Sequence, residues 1–471
     1  MTQKTTFTRS ILALIASALL AALPAASHAQ CAQQQAKLLA SDGAMSDEFG
    51  ISVSISGDVA IVGADGNDDN GLQSGSAYIS RFDGTTWSQD QKLLASDGAA
   101  GDRFGFSVSI GGDMAIVGAF LDDDNGTDSG SVYVFRFDGT TWSQEQKLLA
   151  SDGARGDGFG ISVSIGGDVA IVGASGDGDN GINSGSAYIF RFDGTTWTQE
   201  QKLLASDGAS GDSFGYSVSI SGDVAIVGAG GDDDNGTGSG SAYVFRLDGT
   251  TWNQEQKLIA SDGAGGDSFG FSVSIGGDVA IVGAGLSDSG AGIDAGSAYI
   301  YRFDATTWNQ EQKLLASDGS AADDFGNSVS ISGDVAIVGA RGADGITSHS
   351  GSAYIFRFDA TTWNQEQKLL ASDGAAGDLF GSSVAISGNM AIVGAPFDDD
   401  NAGDSGSAYT FTGLAACPVD LTGDCQTDVL DFFVFVGLFG TDDPRADLNG
   451  DGSVSVLDFF VFVAAFAAGC P

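Results

Sequence analysis

Basic residues are scarce in this chain of 471 residues. Lys and Arg together number 19 against 62 Asp and Glu, which gives a formal net charge of −43. A surface with this charge repels nucleic acid and anionic membranes and attracts cations or basic partners. We therefore expect no nucleic acid among its ligands.

Histidine is also rare, and His349 is the only one beyond His28. The sequence contains no GxSxG, HExxH or phosphate-binding glycine loop. Paired carboxylates could serve glycoside hydrolysis, but the carboxylates here recur almost identically along the chain, whereas catalysis needs one distinct set of residues. We expect a non-catalytic protein, with a carbohydrate-active enzyme (glycoside hydrolase or lyase) as the alternative.

Long apolar runs are absent after the N-terminal segment. Residues 11–23 are largely apolar, follow Lys4 and Arg9, and precede Ser27-His28-Ala29, which provides the small residues of a signal-peptidase site. We expect residues 1–29 to be a bacterial Sec-type signal peptide, and the protein to be secreted to the extracellular space or cell surface. No later run reaches about 20 residues, so no transmembrane segment is expected.

Cysteine is limited to four residues, Cys31, Cys417, Cys425 and Cys470. Disulfides persist in exported chains, and four cysteines allow three pairings. We favour a Cys417–Cys470 bond that clamps the C-terminal segment, and Cys31–Cys417 is the alternative.

Glycine, in contrast, is abundant, with 72 residues, and a repeat of 55 or 56 residues organises most of the chain. Each unit runs through Phe-Gly, an SVSI-like run, Gly-Asp, an AIVGA run, an acidic loop, a GSAYIFRF-like run, Asp-Gly-Thr-Thr-Trp and QEQKLLA. In the second unit this pattern predicts strands at 106–110, 114–119, 131–137 and 141–150. Four antiparallel strands with this period are typical of a β-propeller blade. The seven Phe-Gly pairs begin at Phe49, Phe104, Phe159, Phe214, Phe269, Phe325 and Phe380.

The two ends of the array predict how the propeller closes. The seventh unit stops near Phe411 without its tryptophan-bearing fourth strand, and residues 33–40 (QQQAKLLA) copy the second half of that strand. We expect residues 33–40 to complete the last blade, because closure removes the exposed sheet edges of an open array. The prediction is an all-β seven-bladed propeller over residues 30–412.

These units resemble the FG-GAP repeats of integrin α-subunit propellers and of bacterial surface proteins. The seventh carries the full signature, Phe380-Gly381 followed by Gly394-Ala395-Pro396. The resemblance implies a binding, adhesion or structural protein with calcium loops between the Phe-Gly strand and the Gly-Ala-Pro strand. Here that connection is short, as in Ser56-Gly57-Asp58, so the family's calcium site cannot be carried over by position.

Acidic residues instead lie in the long connections between the second and third strands and between successive units. Consecutive turns of a meander alternate between its two ends, so these connections share one face. Clustered Asp oxygens suit calcium, and Asx-turns without metal are the alternative. We expect a protein or glycan ligand on this acidic face, and weaker calcium binding in loop 341–350, which has lost most of its acids. The candidate calcium ligands of the propeller are Asp122, Asp124, Asp232, Asp234, Asp398 and Asp400.

A different, duplicated pattern predicts a second domain over residues 417–471. Two loops with oxygen-bearing side chains at positions 1, 3, 5, 9 and 12 each precede the sequence LDFFVFV, which is EF-hand spacing with Asp at the last position. Gly452 stands at position 6 of the second loop, but Cys425 replaces this glycine in the first. The predicted calcium ligands are Asp420, Thr422, Asp424, Asp428 and Asp431 in the first loop and Asp447, Asn449, Asp451, Ser455 and Asp458 in the second.

Phenylalanines at helical spacing follow both loops and predict the core of this domain; they are Phe432, Phe435, Phe439, Phe459, Phe462 and Phe466. The paired loop-helix units resemble dockerin domains, in particular those ending in Gly469-Cys470-Pro471. The resemblance implies a small α-helical, EF-hand-like domain that anchors the chain to a cohesin-like protein or an envelope scaffold. Val429-Leu430 and Val456-Leu457 replace the hydroxyl pair that sets partner choice in cellulosomal dockerins, so a calcium-stabilised module without a cohesin partner is the alternative.

Overall fold

The computed structural model describes residues 32–414, 429–441, 443–448 and 452–468. The chain forms two compact units, and the larger spans Gln34–Phe411. The smaller unit includes the residues from Thr412 onward.

Residues 32–414 form 28 strands arranged in seven four-stranded sheets, each of which is one propeller blade. Blades 1 to 6 consist of consecutive strands. Blade 1 has β2 (Val53–Ser56), β3 (Val59–Ala64), β4 (Ser76–Phe82) and β5 (Trp87–Leu93). Blade 2 has β6 (Ser107–Gly111), β7 (Met114–Ala119), β8 (Ser131–Phe137) and β9 (Trp142–Leu148). Blade 3 has β10 (Ser162–Gly166), β11 (Val169–Ala174), β12 (Ser186–Phe192) and β13 (Trp197–Leu203). Blade 4 has β14 (Ser217–Ser221), β15 (Val224–Ala229), β16 (Ser241–Asp248) and β17 (Thr251–Leu258). Blade 5 has β18 (Ser272–Gly276), β19 (Val279–Ala284), β20 (Ser297–Phe303) and β21 (Trp308–Leu314). Blade 6 has β22 (Phe325–Ser332), β23 (Val335–Ala340), β24 (Ser352–Phe358) and β25 (Trp363–Leu369). Blade 7 joins β1 (Gln33–Leu38) to β26 (Ser383–Ser387), β27 (Met390–Ala395) and β28 (Ser407–Thr412).

The predicted closure is confirmed, because β1 pairs next to β28 in the order β1-β28-β27-β26. The predicted strands of the second unit are also confirmed, with ends that differ by one or two residues. The Asp138-Gly139 pair between β8 and β9 predicts a two-residue hairpin with positive φ at both residues. This is wrong, because only Gly139 has positive φ, at +99°. Asp138 accepts hydrogen bonds from the backbone N–H groups of Thr140 and Thr141 instead, which makes the connection an Asx-turn.

The hydrophobic core lies between neighbouring blades. The second strand of blade 2, β7, is buried along its whole length, because blades cover both of its faces; a strand covered on both sides reads as a continuous apolar run without alternation. Ile61 and Leu93 of blade 1 pack with Val117 and Trp142 of blade 2 in one cluster.

The Phe-Gly motif marks the closest approach of two blades. Gly105 has φ +97°, and a Cβ there would lie 2.2 Å from the carbonyl oxygen of Ser76 in the preceding blade. A Cβ on Gly63 would lie 1.8 Å from the carbonyl oxygen of Gly105. Only glycine fits at these positions, which explains why Phe-Gly and the glycine of AIVGA recur in every unit.

A ring of hydrogen bonds connects the first strands. The Ser52 hydroxyl donates to the carbonyl oxygen of Gly105 in the next blade at 2.7 Å. The same bond recurs at each following blade, and Ser383 of blade 7 donates to Gly50 of blade 1 at 2.8 Å. The last blade therefore meets the first through the same contact that joins all the others.

The smaller unit contains the helices α1 (Val429–Gly440) and α2 (Val456–Ala468), with a 3₁₀ turn at Pro444–Ala446. Phe435 of α1 stacks on Phe462 of α2 with ring centroids 4.1 Å apart. Both are fully buried, and the other four predicted phenylalanines pack around them, so the predicted phenylalanine core is confirmed. Among the described residues, no helix is long and apolar enough to cross a membrane.

Candidate functional site

A lysine lies among three carboxylates at the edge of blade 3. The ammonium nitrogen of Lys202 on β13 is 2.7 Å from Asp152, which lies in the connection that enters the blade. It is 2.9 Å from Asp177 and 2.7 Å from Asp179, which lie in the connection from β11 to β12. We call such a lysine with its carboxylates a lysine cage.

Strand register places the members of this cage together. Tyr188 of β12 is the cross-strand partner of Lys202, and neighbours of this kind lie side by side on one face of a sheet. The Tyr188 hydroxyl bonds Asp152 and Asp177, both at 3.0 Å, and the ammonium group lies 5.2 Å from the centroid of the tyrosine ring. The lysine side chain is 15% exposed and the Asp177 side chain only 5%.

Four other blades repeat this cage. In blade 1, Asn67 replaces the buried aspartate, and its side-chain oxygen accepts from Lys92 at 3.3 Å. The remaining cages are Lys92 with Asp42 and Asp69 in blade 1, Lys147 with Asp97, Asp122 and Asp124 in blade 2, Lys257 with Asp207, Asp232 and Asp234 in blade 4, and Lys37 with Asp373, Asp398 and Asp400 in blade 7.

Blades 5 and 6 keep the lysine but not the loop carboxylates. Among the described residues, Lys313 forms a salt bridge only with Asp262, at 2.7 Å, and Lys368 only with Asp318, at 2.8 Å. Both lysines are 24% exposed, compared with 14–17% in the five cages. The loop positions hold Ser287 and Ser289 in blade 5 and Ala343 and Gly345 in blade 6.

The charges of a cage stabilise one another. Burial lowers the pKa of Lys202, but hydrogen bonds to three carboxylates raise it more, so that it lies above the ordinary lysine value. Burial also raises the pKa of Asp152, but hydrogen bonds from Lys202 and Tyr188 lower it more, so that it lies below the ordinary value. At neutral pH both groups are charged.

A further aspartate of each interblade connection has a structural role. Asp157 is buried, and its Oδ2 accepts the backbone N–H of Ala154 at 2.7 Å. Asp102 makes the same bond to Ala99. These carboxylates shape their own loops.

The six candidate calcium ligands of the propeller all belong to cages, and each contacts a lysine. In blades 3 and 4 the three carboxylates lie within 4.8 Å of one another, close enough to hold a metal ion. The lysine nitrogen lies among those same oxygens, however, at 2.6–2.9 Å in blade 4. The residues therefore do not fit a calcium ion together with the lysine.

The connection that holds calcium in the resembled family is very short in this structure. Only Gly57 and Asp58 separate β2 from β3. Two residues cannot wrap the six to eight oxygen ligands that calcium takes. The sequence indicates that the family's calcium site cannot be carried over by position, and this geometry agrees with that conclusion.

A central channel of about 220 Å³ runs between the first strands, lined by three consecutive residues from each blade. The second and third of these are serine and valine in all seven blades, whereas the first differs from blade to blade. We call the first residues the mouth ring, because they lie where the long connections enter the first strands. The mouth ring consists of Ile51, Phe106, Ile161, Tyr216, Phe271, Asn327 and Ser382.

Residues beside the mouth ring differ as well. Phe120, which follows β7, packs on Phe106 with ring centroids 4.5 Å apart, and Tyr216 packs on Phe271 at 4.9 Å. All four aromatic side chains are partly exposed. The mouth therefore presents two aromatic pairs, one in blade 2 and one across blades 4 and 5, with Ile161 of blade 3 between them. We call the two pairs together the aromatic arc.

Charged residues lie beside the aromatic ones: the backbone N–H of Phe106 bonds the carbonyl oxygen of Arg103, and Arg341 lines a small pocket together with Phe271. Arg103 contacts Asp65 at 3.1 Å, and Arg341 contacts Asp324 at 3.0 Å. Asp65 is buried, and burial together with the nearby Glu48 raises its pKa to about 6 despite the attraction of Arg103. His349 lies in the long connection of blade 6, exposed, with its backbone N–H bonded to Asp344.

Only part of the C-terminal loops can be compared with prediction. Asp447 Oδ2 accepts the backbone N–H of Gly452 at 2.8 Å, and Asp458 Oδ2 accepts that of Ser455 at 2.7 Å. Asp431 and Asp458 are fully buried at the starts of their helices. The signal peptide (1–29), Cys31, Cys417, Cys425, Cys470, Asp420, Thr422, Asp424, Asp428, Asn449 and Asp451 lie outside the described residues.

Comparison with protein families decides the nature of the repeat. The chain matches the FG-GAP repeat seven times, at residues 32–80, 87–135, 142–190, 197–245, 252–301, 308–356 and 363–411. The chain belongs to the FG-GAP repeat family. Each match begins within one residue of the start of the fourth strand of one blade and continues into the third strand of the next, so the family's unit spans the contact between two blades.

The FG-GAP repeats form binding and adhesion modules and are typical of extracellular proteins. Comparison with curated proteins gives no match. Among solved structures, the crystal structure of Saccharomyces cerevisiae Sqt1 is similar, with a TM-score of 0.45 and 11% identity, covering 81% of this chain and 99% of that chain.

Sequence reasoning missed the lysines at the centres of the cages. A signal was present, because every lysine beyond Lys4 stands at the same place in QKLLA, QKLIA or AKLLA, once per blade. The alternation of turns in a meander placed the acids on one face, but only the pairing of β12 with β13 shows that Lys202 lies beside Tyr188, where it contacts Asp177.

Proposed function

We propose that this FG-GAP protein is a secreted, non-catalytic binding protein whose propeller recognises a partner at the channel mouth. In this proposal the C-terminal module anchors the chain and is stabilised by calcium. The proposal rests on one observation: the amino-acid differences among the seven blades are distributed unevenly over the propeller.

The differences lie mainly at the end of the propeller with the long connections. At the other end, the Gly-Asp connections and the Asp-Gly-Thr-Thr connections repeat with few changes. The mouth ring, in contrast, includes aliphatic, aromatic and polar residues. A side chain that only maintains the fold can be the same in every blade, whereas recognition of one partner needs different groups at different places. Binding faces of repeat proteins are commonly built in this way.

The chemistry of the mouth favours a protein segment with apolar and basic side chains. The aromatic arc supplies apolar contact area of the kind found at interaction hot spots. Exposed cage carboxylates such as Asp152 and Asp179, each nearly half exposed, lie toward the same end. Their charge attracts a basic partner and speeds its association.

The second C-terminal loop supports the anchoring part of the proposal. Asp447, Ser455 and Asp458 would provide oxygen ligands at loop positions 1, 9 and 12, and the bond from Gly452 to Asp447 holds the turn that this loop requires. A calcium ion bound there would neutralise these carboxylates and fix the start of α2.

The mouth is tested by Phe106→Ala and Tyr216→Ala in the full chain, used as bait on an envelope fraction of the producing cells. We expect each variant to reduce capture of the partner at least tenfold, and raised salt to weaken capture by the parent protein. Ser143→Ala, at an exposed position of β9, is the matched control and should bind as the parent does. Equal capture by all three variants would contradict recognition at the mouth.

The anchoring module is tested by calorimetric titration of the full chain with calcium. Asp458→Asn should remove at least one binding event, because the last loop position provides a major ligand. Binding to a panel of cohesins then separates a cohesin partner from another anchor. Hydrolysis of any polysaccharide in a substrate panel would favour the carbohydrate-active alternative.

A further inference from the structure

We propose that in blades 1 to 4 and 7 a lysine ammonium group takes the place of a metal ion, so that the propeller supplies its own cations and folds without calcium. The lysines are Lys92, Lys147, Lys202, Lys257 and Lys37. This inference concerns the framework of the propeller and is independent of the proposed binding function.

The first argument is geometric. Calcium binds protein oxygens at 2.3–2.6 Å, and a charged ammonium–carboxylate hydrogen bond is 2.7–2.9 Å long. The Lys202 nitrogen lies 2.7–2.9 Å from three carboxylates. Oxygens at these positions can close around one cation but not around two.

The second argument is that the lysine is attached to the chain and packed in place. Its side chain is mostly buried, and its ammonium group lies over the Tyr188 ring. Calcium from solution would have to displace a tethered cation, whose effective concentration at the site is high. It would also leave the displaced ammonium group without its partners, which is costly in a largely buried position.

The third argument comes from the blades that differ. Blades 5 and 6 lack carboxylates at the two loop positions of the cage, yet Lys313 and Lys368 keep their place, each with one interblade aspartate and over one tyrosine ring. The lysine, the tyrosine and the interblade aspartate are therefore the constant members of the arrangement, and the loop carboxylates are added around them. In a site built for a metal ion, we would expect the loop carboxylates to be constant and the lysine to vary.

The test measures calcium binding by the full chain in parallel for four proteins: the parent, Asp179→Asn, Lys202→Met and Lys313→Met. Calorimetry gives the number of calcium ions bound, and thermal unfolding with calcium or EDTA gives the dependence of Tm on calcium. The C-terminal loops are identical in all four proteins, so their contribution cancels in the comparison.

We expect Asp179→Asn to bind as many calcium ions as the parent, because a lysine already occupies that cage. Lys202→Met, which leaves three carboxylates without a cation, should bind one additional calcium ion and gain a calcium-dependent rise in Tm. Lys313→Met is the matched control: it also loses a lysine, but blade 5 has Ser287 and Ser289 in place of the two loop carboxylates of the cage, so its binding should equal that of the parent.

Two results would overturn the inference. One is the loss of a calcium ion in Asp179→Asn, which would mean that the parent cage binds metal. The other is a folded Lys202→Met protein with no additional calcium ion. If Lys202→Met does not fold, the Asp179→Asn comparison alone decides, because it leaves the lysine in place.

Discussion

Blades 3 and 6 share one backbone design but differ at the cage. In blade 3, Asp177 bonds the ammonium group of Lys202 and the hydroxyl of Tyr188. In blade 6, Ala343 stands at this position, although its carbonyl oxygen still accepts the N–H of Gly351, as that of Asp177 accepts the N–H of Gly185. The fold of the loop therefore does not depend on the carboxylate, and the cage adds charge pairing to a loop that already forms.

Blades 5 and 6 also differ from blades 1 to 4 in a second feature, the tight turn before the fourth strand. Their tight turns contain Ala305 and Ala360 where blades 1 to 4 have glycine, and both alanines have positive φ, near +75°. These two neighbouring blades are thus the least regular part of the ring, at the level of the turn as well as the cage. Four predictions test the comparison between complete and incomplete cages and between the two kinds of turn.

The largest effect is expected from Asp177→Ala. The substitution leaves Tyr188 and Lys202 with fewer partners at a position where the aspartate is 5% exposed. Loss of a buried, hydrogen-bonded charge costs about 2–4 kcal/mol. Urea unfolding measures it, and Ser287→Ala, at the equivalent position of blade 5, should cost less than about 1 kcal/mol. Equal costs would contradict a stabilising role of the cage.

Acid should act on complete cages through the same aspartate position. Burial raises the pKa of Asp232, but hydrogen bonds from Lys257, the Asp234 backbone and Tyr243 lower it more, so that it lies below its ordinary value of 3.8. Such a group stabilises the fold above about pH 3.8 and loses this contribution as pH falls further. Asp232→Asn should therefore show a smaller drop in Tm between pH 5 and pH 3 than the parent protein.

Ser287→Ala is the control for this pH effect, because blade 5 has no carboxylate at the position. Its Tm should fall between pH 5 and pH 3 as steeply as that of the parent. A slope unchanged in Asp232→Asn would show that the cages do not contribute to acid unfolding.

A smaller gain is expected from closing an incomplete cage with Ala343→Asp. The new carboxylate would lie near Lys368 and Tyr354. It would also offer an acceptor to the Ser352 hydroxyl, a buried group with no hydrogen-bond partner within the described residues, as Asp122 accepts from Ser131 in blade 2. We expect stabilisation of about 1 kcal/mol, measured by urea unfolding. Ala343→Asn, the residue type of Asn67 in blade 1, separates charge from hydrogen bonding: the aspartate variant should be the more stable of the two, and the reverse order would contradict charge pairing.

The smallest effect concerns the turns. Ala305→Gly should stabilise the protein by about 0.5 kcal/mol, because glycine adopts positive φ without strain but loses more entropy on folding. The reverse change, Gly139→Ala, should cost about 1 kcal/mol, since a Cβ there meets no atom within 4 Å and only the backbone is strained. Differences in Tm measure both, and a destabilised Ala305→Gly variant would be the contrary result.

Most of the fold could be predicted because its signals are local and repeated. The period of the Phe-Gly pairs predicted seven units, and the missing tryptophan strand predicted that residues 33–40 complete the last blade, where β1 (Gln33–Leu38) pairs with β28. The phenylalanine spacing likewise predicted the core of the helical unit, in which Phe435 stacks on Phe462. The candidate site was harder to predict, because the acids were assigned to a face without knowledge of their partners.

The sequence by itself determined the strands, their order and the closure of the ring, since period and strand pairing depend on neighbouring residues. It also placed the acidic connections on one face. Only the tertiary structure decided what those acids do, because Asp152, Asp177 and Lys202 are separated by up to 50 residues and meet only when two connections converge on β13. A carboxylate cluster that suggested a metal site in the sequence is in the folded protein an ion pair network, because strand pairing inserts a lysine at its centre.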